Sequence, residues 1–489
     1  MSTVTREQTV VDTVPKQLHI NGEWRDAREG GTLPVEDPAT GETIAEVADA
    51  TVDDAMDALA AATEKQDEWA AVPPVERGEI LHRAFQMIIE RKDDLALLMT
   101  LEMGKPVPES AAEITYAAEF FRWFAGVAAR ANGNYKMAAN GQSRVLVLKQ
   151  PVGPSILITP WNFPLAMGTR KIGPAIAAGC TMVMKPAKQT PFSMLALGQI
   201  LEEAGLPGGV LNIVTSSSSG KIMEPLIKDP RTRKLSFTGS TEVGRELIKQ
   251  AADQILKVSM ELGGNAPFIV FEDADLDAAV EGAVLAKMRN IGEACTAANR
   301  FHVHESVADE FSKRLADRLG QMKVGRGTEE DAKVGPLIDD NQRSKVAELV
   351  EDAVQKGARA LVGGKPLDGP GYFFPPTVLA DVPDNARLLK EEIFGPVAPV
   401  TTFSTEEEAI LRANDTEYGL VAYVYTDNLK RGVRVIEALQ TGMVGLNQGM
   451  VSNAGAPFGG VKHSGIGREG GHEGLEEFLE TKYVAVNMD

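Results

Sequence analysis

The sequence predicts an α/β protein built from two units of sheet and helix. Three observations point there. Between about residues 150 and 260, short apolar runs alternate with helical stretches. A second pattern of the same kind runs from about 261 to 460. The 489 residues are enough for two or three cores. Such alternation argues for βαβ units, a parallel sheet covered by helices, and chemistry just beyond the carboxyl ends of the strands.

The elements follow in order. The opening MSTVTREQTVVDTVPKQ has no basic start followed by an apolar stretch and no arginine enrichment, so it reads as a polar, frayed tail rather than a targeting segment. Residues 18–48 alternate apolar runs with Gly and Pro turns, as a small hairpin does. From about 52 to 132 apolar residues recur at helical steps, with Thr51 as N-cap and Asp53 and Asp54 in the first turn. Residues 130–150 turn polar and then alternate as SRVLVLK, an exposed strand suited to pairing with another subunit; TKYVAV (481–486) could pair with it. PSILITP (154–160), TMVMKP (181–186), LNIVT (211–215) and KLSFTG (234–239) predict buried strands, separated by helices over 169–178, 193–204 and 241–253. EDADLDAAVEGAVLAKMRN (272–290) is an amphipathic helix with an acidic start.

Composition narrows the partners. Lys plus Arg is 50 against 69 for Asp plus Glu, a net charge of −19 spread along the chain, which repels nucleic acid and anionic lipid. No apolar run approaches the roughly 20 residues of a membrane span. The only two cysteines, Cys180 and Cys295, are far apart and form neither a disulfide framework nor a metal spacing, which fits a reducing cytoplasm.

Four segments carry chemistry. Cys295 sits in NIGEACTAANR among small neighbours (Gly292, Ala294, Ala297, Ala298). A thiolate there suits making and breaking a thioester, although a lone Cys equally serves as a small buried hydrophobe. Glu261 in MELGGNAP follows an apolar run and precedes two glycines; poor solvation would raise its pKa and make it a base, or it is a surface Glu before a turn. Asn162 in TPWNFP can donate to an oxyanion or simply turn the chain. FTGSTEVG (237–244) can offer backbone amides to a phosphate, but as GxxxxG it is a weak signal by itself.

Together and in order, PWNFP, KPAKQTP, FTGSTEVGR, ELGGNAP, the cysteine loop, EEIFGPV and PFGGVKHSGIGRE resemble the aldehyde dehydrogenase superfamily over about residues 18–489, most of all its succinate-semialdehyde dehydrogenases. The resemblance implies a Rossmann-like cofactor domain (1–130 and 151–260), an α/β catalytic domain (261–463) and a small β oligomerisation arm (131–150 and 464–489) that builds a homodimer or homotetramer. It implies Cys295 as nucleophile, Glu261 as the base that activates water, and Asn162 as oxyanion donor with the Cys295 amide. It implies Lys185 and Glu392 on the riboses of NAD(P), with Trp161, Gly239, Ser240, Gly244 and Phe394 lining the cofactor, and Lys171 with Glu469 as a proton relay. The aldehyde becomes a thiohemiacetal on Cys295, loses hydride to the nicotinamide, and leaves as the acid after hydrolysis.

Specificity turns on charges. Arg170 and Arg289 match positions that bind a substrate carboxylate in succinate-semialdehyde dehydrogenases, which favours succinate semialdehyde or a similar ω-carboxylated aldehyde; the alternative is that either arginine pairs with a nearby carboxylate. Ser452 fits a third contact, with Asn453 as its alternative, and Phe163 and Phe458 wall the tunnel. Lys188 stands where NAD-preferring members carry Glu, so NADP is favoured and NAD possible; a solvent-facing Lys188 would leave both in use. Glu293 in GEAC replaces a commoner Gln and is expected to face away from the thiol. Ala297 replaces a second cysteine that some relatives carry, and Cys180 reads as a buried structural residue. His302 and His304 in FHVHE read as a polar strand face, with no metal assigned. The competing functions are oxidation of a neutral aldehyde, acyl transfer to coenzyme A, which Glu261 argues against, and a structural protein on the same fold, which the intact Cys295, Glu261, Asn162 and Lys185 argue against.

Overall fold

A computed structural model describes residues 5–488. The alternating texture of 150–260 folds as expected: strands Ser155–Ile158, Met182–Lys185, Leu211–Ile213 and Lys234–Thr238 alternate with helices Ala166–Ala178, Phe192–Glu203 and Thr241–Ala252. Every residue of these four strands is buried. Helices lie over both faces of the sheet, so the strands read as continuous apolar runs rather than as alternating ones. The sheet has eight strands, in the order Gly465–Ile466, Lys257–Glu261, Lys234–Thr238, Ser155–Ile158, Met182–Lys185, Leu211–Ile213, Leu18–Ile20, Glu23–Arg25. The five central strands run parallel, while the edges pair antiparallel.

The stretch 464–489 divides. Gly465–Ile466 closes this sheet beside Glu261, and Leu479–Asn487 joins the arm. Gly465 has φ +144°, and a Cβ there would lie 1.9 Å from the Met260 carbonyl oxygen, so only glycine permits this close edge.

A second, seven-stranded sheet is parallel except for its edge strand Arg359–Val362; its core strands include Ala266–Val270 and Ala298–His304. A three-stranded sheet pairs Ser143–Pro151 with Leu479–Asn487 and with Asn134–Met137, setting Thr481–Val486 opposite Lys149–Arg144. SRVLVLK and TKYVAV are thus neighbours, as the sequence suggests.

Two expectations need correction. From Thr5 onward the N-terminal segment is not a frayed tail: Arg6–Asp12 is a helix, capped by the Thr5 hydroxyl, which accepts from the Gln8 amide at 3.2 Å. Val10 and Val11 are buried, and Arg326 forks onto Glu7 at 3.0 and 3.1 Å, which fastens a segment too short to be helical by itself. Residues 1–4 lie outside the described residues. Residues 18–48 form two hairpins, not one. Leu18–Ile20 with Glu23–Arg25 extends the large sheet, and Thr32–Asp37 with Glu42–Ala48 forms a separate ribbon.

Candidate active site

Asn162 lies in the turn between the strand Ser155–Ile158 and the helix Ala166–Ala178. That helix has no side-chain cap of its own. Glu113 supplies one from the distant helix Val107–Val127, its Oε1 accepting from the amides of Leu165 and Ala166, both at 3.1 Å. The other Glu113 oxygen pairs with Lys105 at 2.5 Å, and Lys105 Nζ donates to the Asn162 carbonyl at 2.8 Å. The Asn162 side chain donates to the Glu293 carbonyl at 2.9 Å and accepts from the Phe163 amide at 3.1 Å. Its orientation is therefore set, and its second amide hydrogen stays available.

Cys295 is reached through a strained loop. The helix Leu276–Met288 ends, and Asn290, Ile291 and Gly292 then take φ of +54°, +60° and +77°. Glu109 holds the Asn290 amide at 2.7 Å, and the Asn290 side chain reaches the Glu293 carbonyl at 2.9 Å. At Gly292 a Cβ would meet the Gly395 carbonyl oxygen at 2.3 Å. These bonds hold three successive left-handed residues that cost backbone energy in isolation. Burial pushes the Cys295 thiol up to about 12; Glu392 and Glu261 push the same way, against Arg170 and Arg289. The resting residue is a thiol.

Glu261 ends the strand Lys257–Glu261, and neither of its buried carboxylate oxygens has a hydrogen-bond partner. Burial first, then the charge of Glu469, raises it well above the carboxylate range, against the pull of Arg170, Lys171 and Arg468. Glu469 is itself buried, which raises its pKa, yet Lys171 and Arg170 together hold it below its ordinary value. Lys171 contacts Glu469 and donates to Ser236 at 3.0 Å, while Arg170 Nε meets Glu469 Oε2 at 2.5 Å.

A cavity of about 230 Å³ gathers these groups. Trp161, Gly239, Ser240, Glu392 and Phe394 line it, as do Asn162, Cys295, Phe163, Arg170, Arg289, Ser452 and Phe458. Glu392 accepts from the Gly264 amide at 2.9 Å, and burial pushes it up to about 7. Phe394 has φ +56°, its carbonyl accepts from the Gln342 side chain at 2.7 Å, and its ring meets Trp161 edge-on at 5.4 Å. Ser240 caps the helix Thr241–Ala252. The Arg170 guanidinium, 1% exposed, lies 4.1 Å over the Phe458 ring, and its Nη1 and Nη2 have no hydrogen-bond partner. Arg289 donates to Ser452 at 2.7 Å and lies 4.9 Å over Phe163.

Six expected residues stand outside the cavity lining, Lys171 and Glu469 among them. Glu261 is another. Gly244 packs within its helix against Leu262, where a Cβ would come to 2.4 Å. Lys185 is buried with no acidic partner among the described residues; burial, then the charge of Lys188, pushes it down to about 8. Lys188 itself is exposed.

The aldehyde dehydrogenase family model matches residues 24–484. The chain belongs to that family. It is 58% identical to a succinate-semialdehyde dehydrogenase of Paenarthrobacter nicotinovorans, over 91% of this chain and 98% of that one. It is 51% identical to a glutarate-semialdehyde dehydrogenase of Pseudomonas putida, over 97% and 98%. A solved NADP-dependent enzyme of Escherichia coli superposes with a TM-score of 0.96 at 50% identity, covering 98% of this chain and 99% of that one. The fold is the aldehyde dehydrogenase fold, and the chain is an NAD(P)-dependent oxidoreductase.

In this aldehyde dehydrogenase Ser452 faces the cavity, whereas Asn453 accepts from the Gly455 amide and does not line it. Glu293 turns away from the thiol, its Oε1 accepting from the Ile338 amide at 3.1 Å. Cys180 is buried and donates to the Phe478 carbonyl at 3.3 Å. The HxH pair lies on a polar strand face, at alternate positions with Arg300, and His302 lines a recess with Thr401 and Asp415. The strand Ala298–His304 lies inside the sheet, so His302 is buried and bonded to Thr401 at 2.7 Å, and His304 bonds Ser306 at 2.8 Å.

Sequence reasoning missed Tyr116, Gln342, Thr238 and Lys345 of the lining, and the Lys105, Glu109 and Glu113 brace behind it. One signal was available. Glu109, Glu113 and Tyr116 share a face of the helix Val107–Val127, at spacings of four and three.

Proposed function

We propose that this aldehyde dehydrogenase oxidises succinate semialdehyde, or a close ω-carboxylated aldehyde such as glutarate semialdehyde, to the dicarboxylic acid, with NADP favoured over NAD. One observation carries the reading: Arg170, Arg289 and Ser452 line the same cavity as Cys295, and the Arg170 Nη groups have no acceptor in the protein. A buried guanidinium lacking acceptors is costly, and a carboxylate supplies them in matching fork geometry. The names of the Paenarthrobacter and Pseudomonas relatives support the same substrate class.

In this reading the aldehyde carbon meets Cys295 while its distant carboxylate rests on the arginines. The thiol must first lose its proton, and Glu261, raised and without hydrogen bonds, is the base that takes it. Sγ then bonds the carbonyl carbon, and the Asn162 amide and the Cys295 backbone amide stabilise the oxyanion. NADP, when bound, supplies the hydride acceptor that leaves a thioester on Cys295. Glu261 passes the thiol proton on through Lys171 and Glu469, and as a carboxylate again it deprotonates the water that hydrolyses this thioester, returning Cys295 as the leaving thiolate.

The residues present fit the dinucleotide. Lys185 and Lys188 bring two ammonium groups near one another without an acidic partner, an arrangement that an anionic phosphate relieves. Lys185 and Glu392 would hold the riboses, Trp161, Gly239, Ser240, Gly244 and Phe394 the rest of its surface, and Lys188 the 2′-phosphate. We assign residues 1–130 and 151–260 to the cofactor domain, 261–463 to the catalytic domain, and 131–150 with 464–489 to an arm that joins copies into a dimer or tetramer, except the strand Gly465–Ile466, which closes the cofactor-domain sheet. No helix among the described residues is long and apolar enough to cross a membrane. A reducing cytoplasm would keep Cys295 a free thiol.

The test is kcat/KM for succinate semialdehyde and butanal, each with NADP and NAD, on the unaltered protein, Arg289→Ala and Lys188→Glu. We expect a preference for succinate semialdehyde of about 100-fold or more, which Arg289→Ala lowers by roughly 10- to 100-fold. Lys188→Glu lowers use of NADP by about tenfold and spares NAD. Equal use of butanal by the unaltered protein sinks the substrate assignment, and an unmoved NADP-to-NAD ratio in Lys188→Glu sinks the cofactor preference.

A further inference from the structure

The anion end of the cavity contains one more polar group. Tyr116 projects from the helix Val107–Val127 into the wall shared by the reacting cavity and two recesses beside it. Its hydroxyl oxygen is enclosed and has no hydrogen-bond partner. Arg170 and Ser452 lie next to that hydroxyl, and the Arg289 guanidinium stands 5.6 Å from the ring centroid. The ring packs edge-on against Phe120 at 4.9 Å, a contact that phenylalanine would make equally well. Packing therefore accounts for the ring, whereas the hydroxyl is set among the polar groups of Arg170 and Ser452.

The Arg170 Nη donors at this point have no hydrogen-bond acceptor in the protein. Glu469 meets Arg170 through Nε, and Nη1 and Nη2 have no hydrogen-bond partner. Ser452 Oγ already accepts from Arg289, which leaves its own hydrogen to give. Tyr116 adds another O–H. A carboxylate has about four lone-pair sites and no hydrogens, so it satisfies all of these groups together. A methyl-ended aldehyde satisfies none, and it leaves buried donors dry, which is how a hydrogen-bonding site rejects an analogue lacking the group.

We propose that Tyr116 is a specificity residue whose hydroxyl donates a hydrogen bond to the terminal carboxylate of the substrate, beside Arg170, Arg289 and Ser452. The inference rests on the ω-carboxylated substrate reading above, and it separates this chain's site from one built on the arginines alone.

Steady-state kinetics with NADP on the unaltered protein, Tyr116→Phe and Arg289→Ala test it, with succinate semialdehyde and butanal as the two probes. Tyr116→Phe should raise KM for succinate semialdehyde by roughly 10- to 100-fold with kcat within about twofold, because a bond made equally in ground and transition states acts on binding. Butanal kinetics, NADP affinity and the melting temperature should not move. If KM for succinate semialdehyde stays put in Tyr116→Phe while Arg289→Ala still loses selectivity, the Tyr116 proposal is overturned and the substrate reading stands. Equal losses for both substrates overturn it too, since they mark a packing role. If the unaltered protein handles butanal as well as succinate semialdehyde, the substrate reading fails first and takes Tyr116 with it.

Discussion

Lys287, on the helix Leu276–Met288, is wholly buried, and its ammonium has no hydrogen-bond partner. Burial pushes it down to about 7 from an ordinary 10.5, with only the charge of Glu392 opposing. Below about pH 7 folded and unfolded chains both hold this proton, and the native state bears the full cost of an unpaired buried cation. Between about 7 and 10.5 the unfolded chain binds a proton that the folded chain releases, so this group makes stability rise with pH across that window. Lys287→Met, which keeps the length and removes the charge, should raise stability at pH 7 by roughly 1–3 kcal/mol. It should also flatten the pH dependence of the urea midpoint between pH 7 and 10. A destabilised variant would mean that Lys287 has a partner in solution. The same substitution removes a cation that lowers the Glu392 pKa, so cofactor binding should weaken near neutral pH.

At the scale of elements, the reacting groups are held by segments far from them in sequence. Glu113 caps the Ala166–Ala178 helix, Lys105 supports the Asn162 carbonyl, and Glu109 fixes the loop before Cys295. Lys105→Met leaves Glu113 as an uncompensated buried carboxylate, and a loss of about 3–5 kcal/mol is expected in urea unfolding. The double variant Lys105→Met with Glu113→Gln should recover more than half of that loss, because no charge is then stranded. Its kcat should stay low, because Asn162 has still lost its brace. Full recovery of kcat in the double variant would show that the brace does not act through Asn162.

For the whole molecule, the three-stranded arm sheet carries large exposed side chains. Tyr135, Met137 and Tyr483 are 64%, 59% and 63% exposed on a three-stranded sheet. The register places Tyr135 and Met137 on one face of this sheet and Tyr483 on the other, so both faces present a large exposed side chain to a second copy. Replacing all three by Lys should shift the sedimentation mass toward that of one chain while far-ultraviolet dichroism stays the same. An unchanged mass would remove the arm from the assembly interface.

How much of this was readable from sequence follows from the kind of physics involved. The strands at 155–158, 182–185, 211–213 and 234–238 were legible because a strand covered on both faces must be a continuous apolar run, and Gly or Pro marks its end. Asn162, Glu261 and Cys295 were legible as candidates because each sits in a motif beside a strand or helix end. The helix Arg6–Asp12 was not, because its local signal is weak and two valines with one ion pair to Arg326 decide it. Nor was Tyr116: its helical spacing from Glu109 and Glu113 is legible, but its place beside Arg170 and Ser452 depends on tertiary packing.

The sequence by itself determined the family, the order of strands and helices, and which residues carry reactive or charged groups, since these depend on residue type and short spacing. Only the tertiary structure decided which charges meet. It pairs Arg170 with Glu469 yet leaves its Nη groups without a hydrogen-bond partner, buries Cys295 so that it rests as a thiol, and sets Lys185 beside an exposed Lys188. Coulomb energy and desolvation depend on distance and burial, and neighbours along the chain fix neither of these.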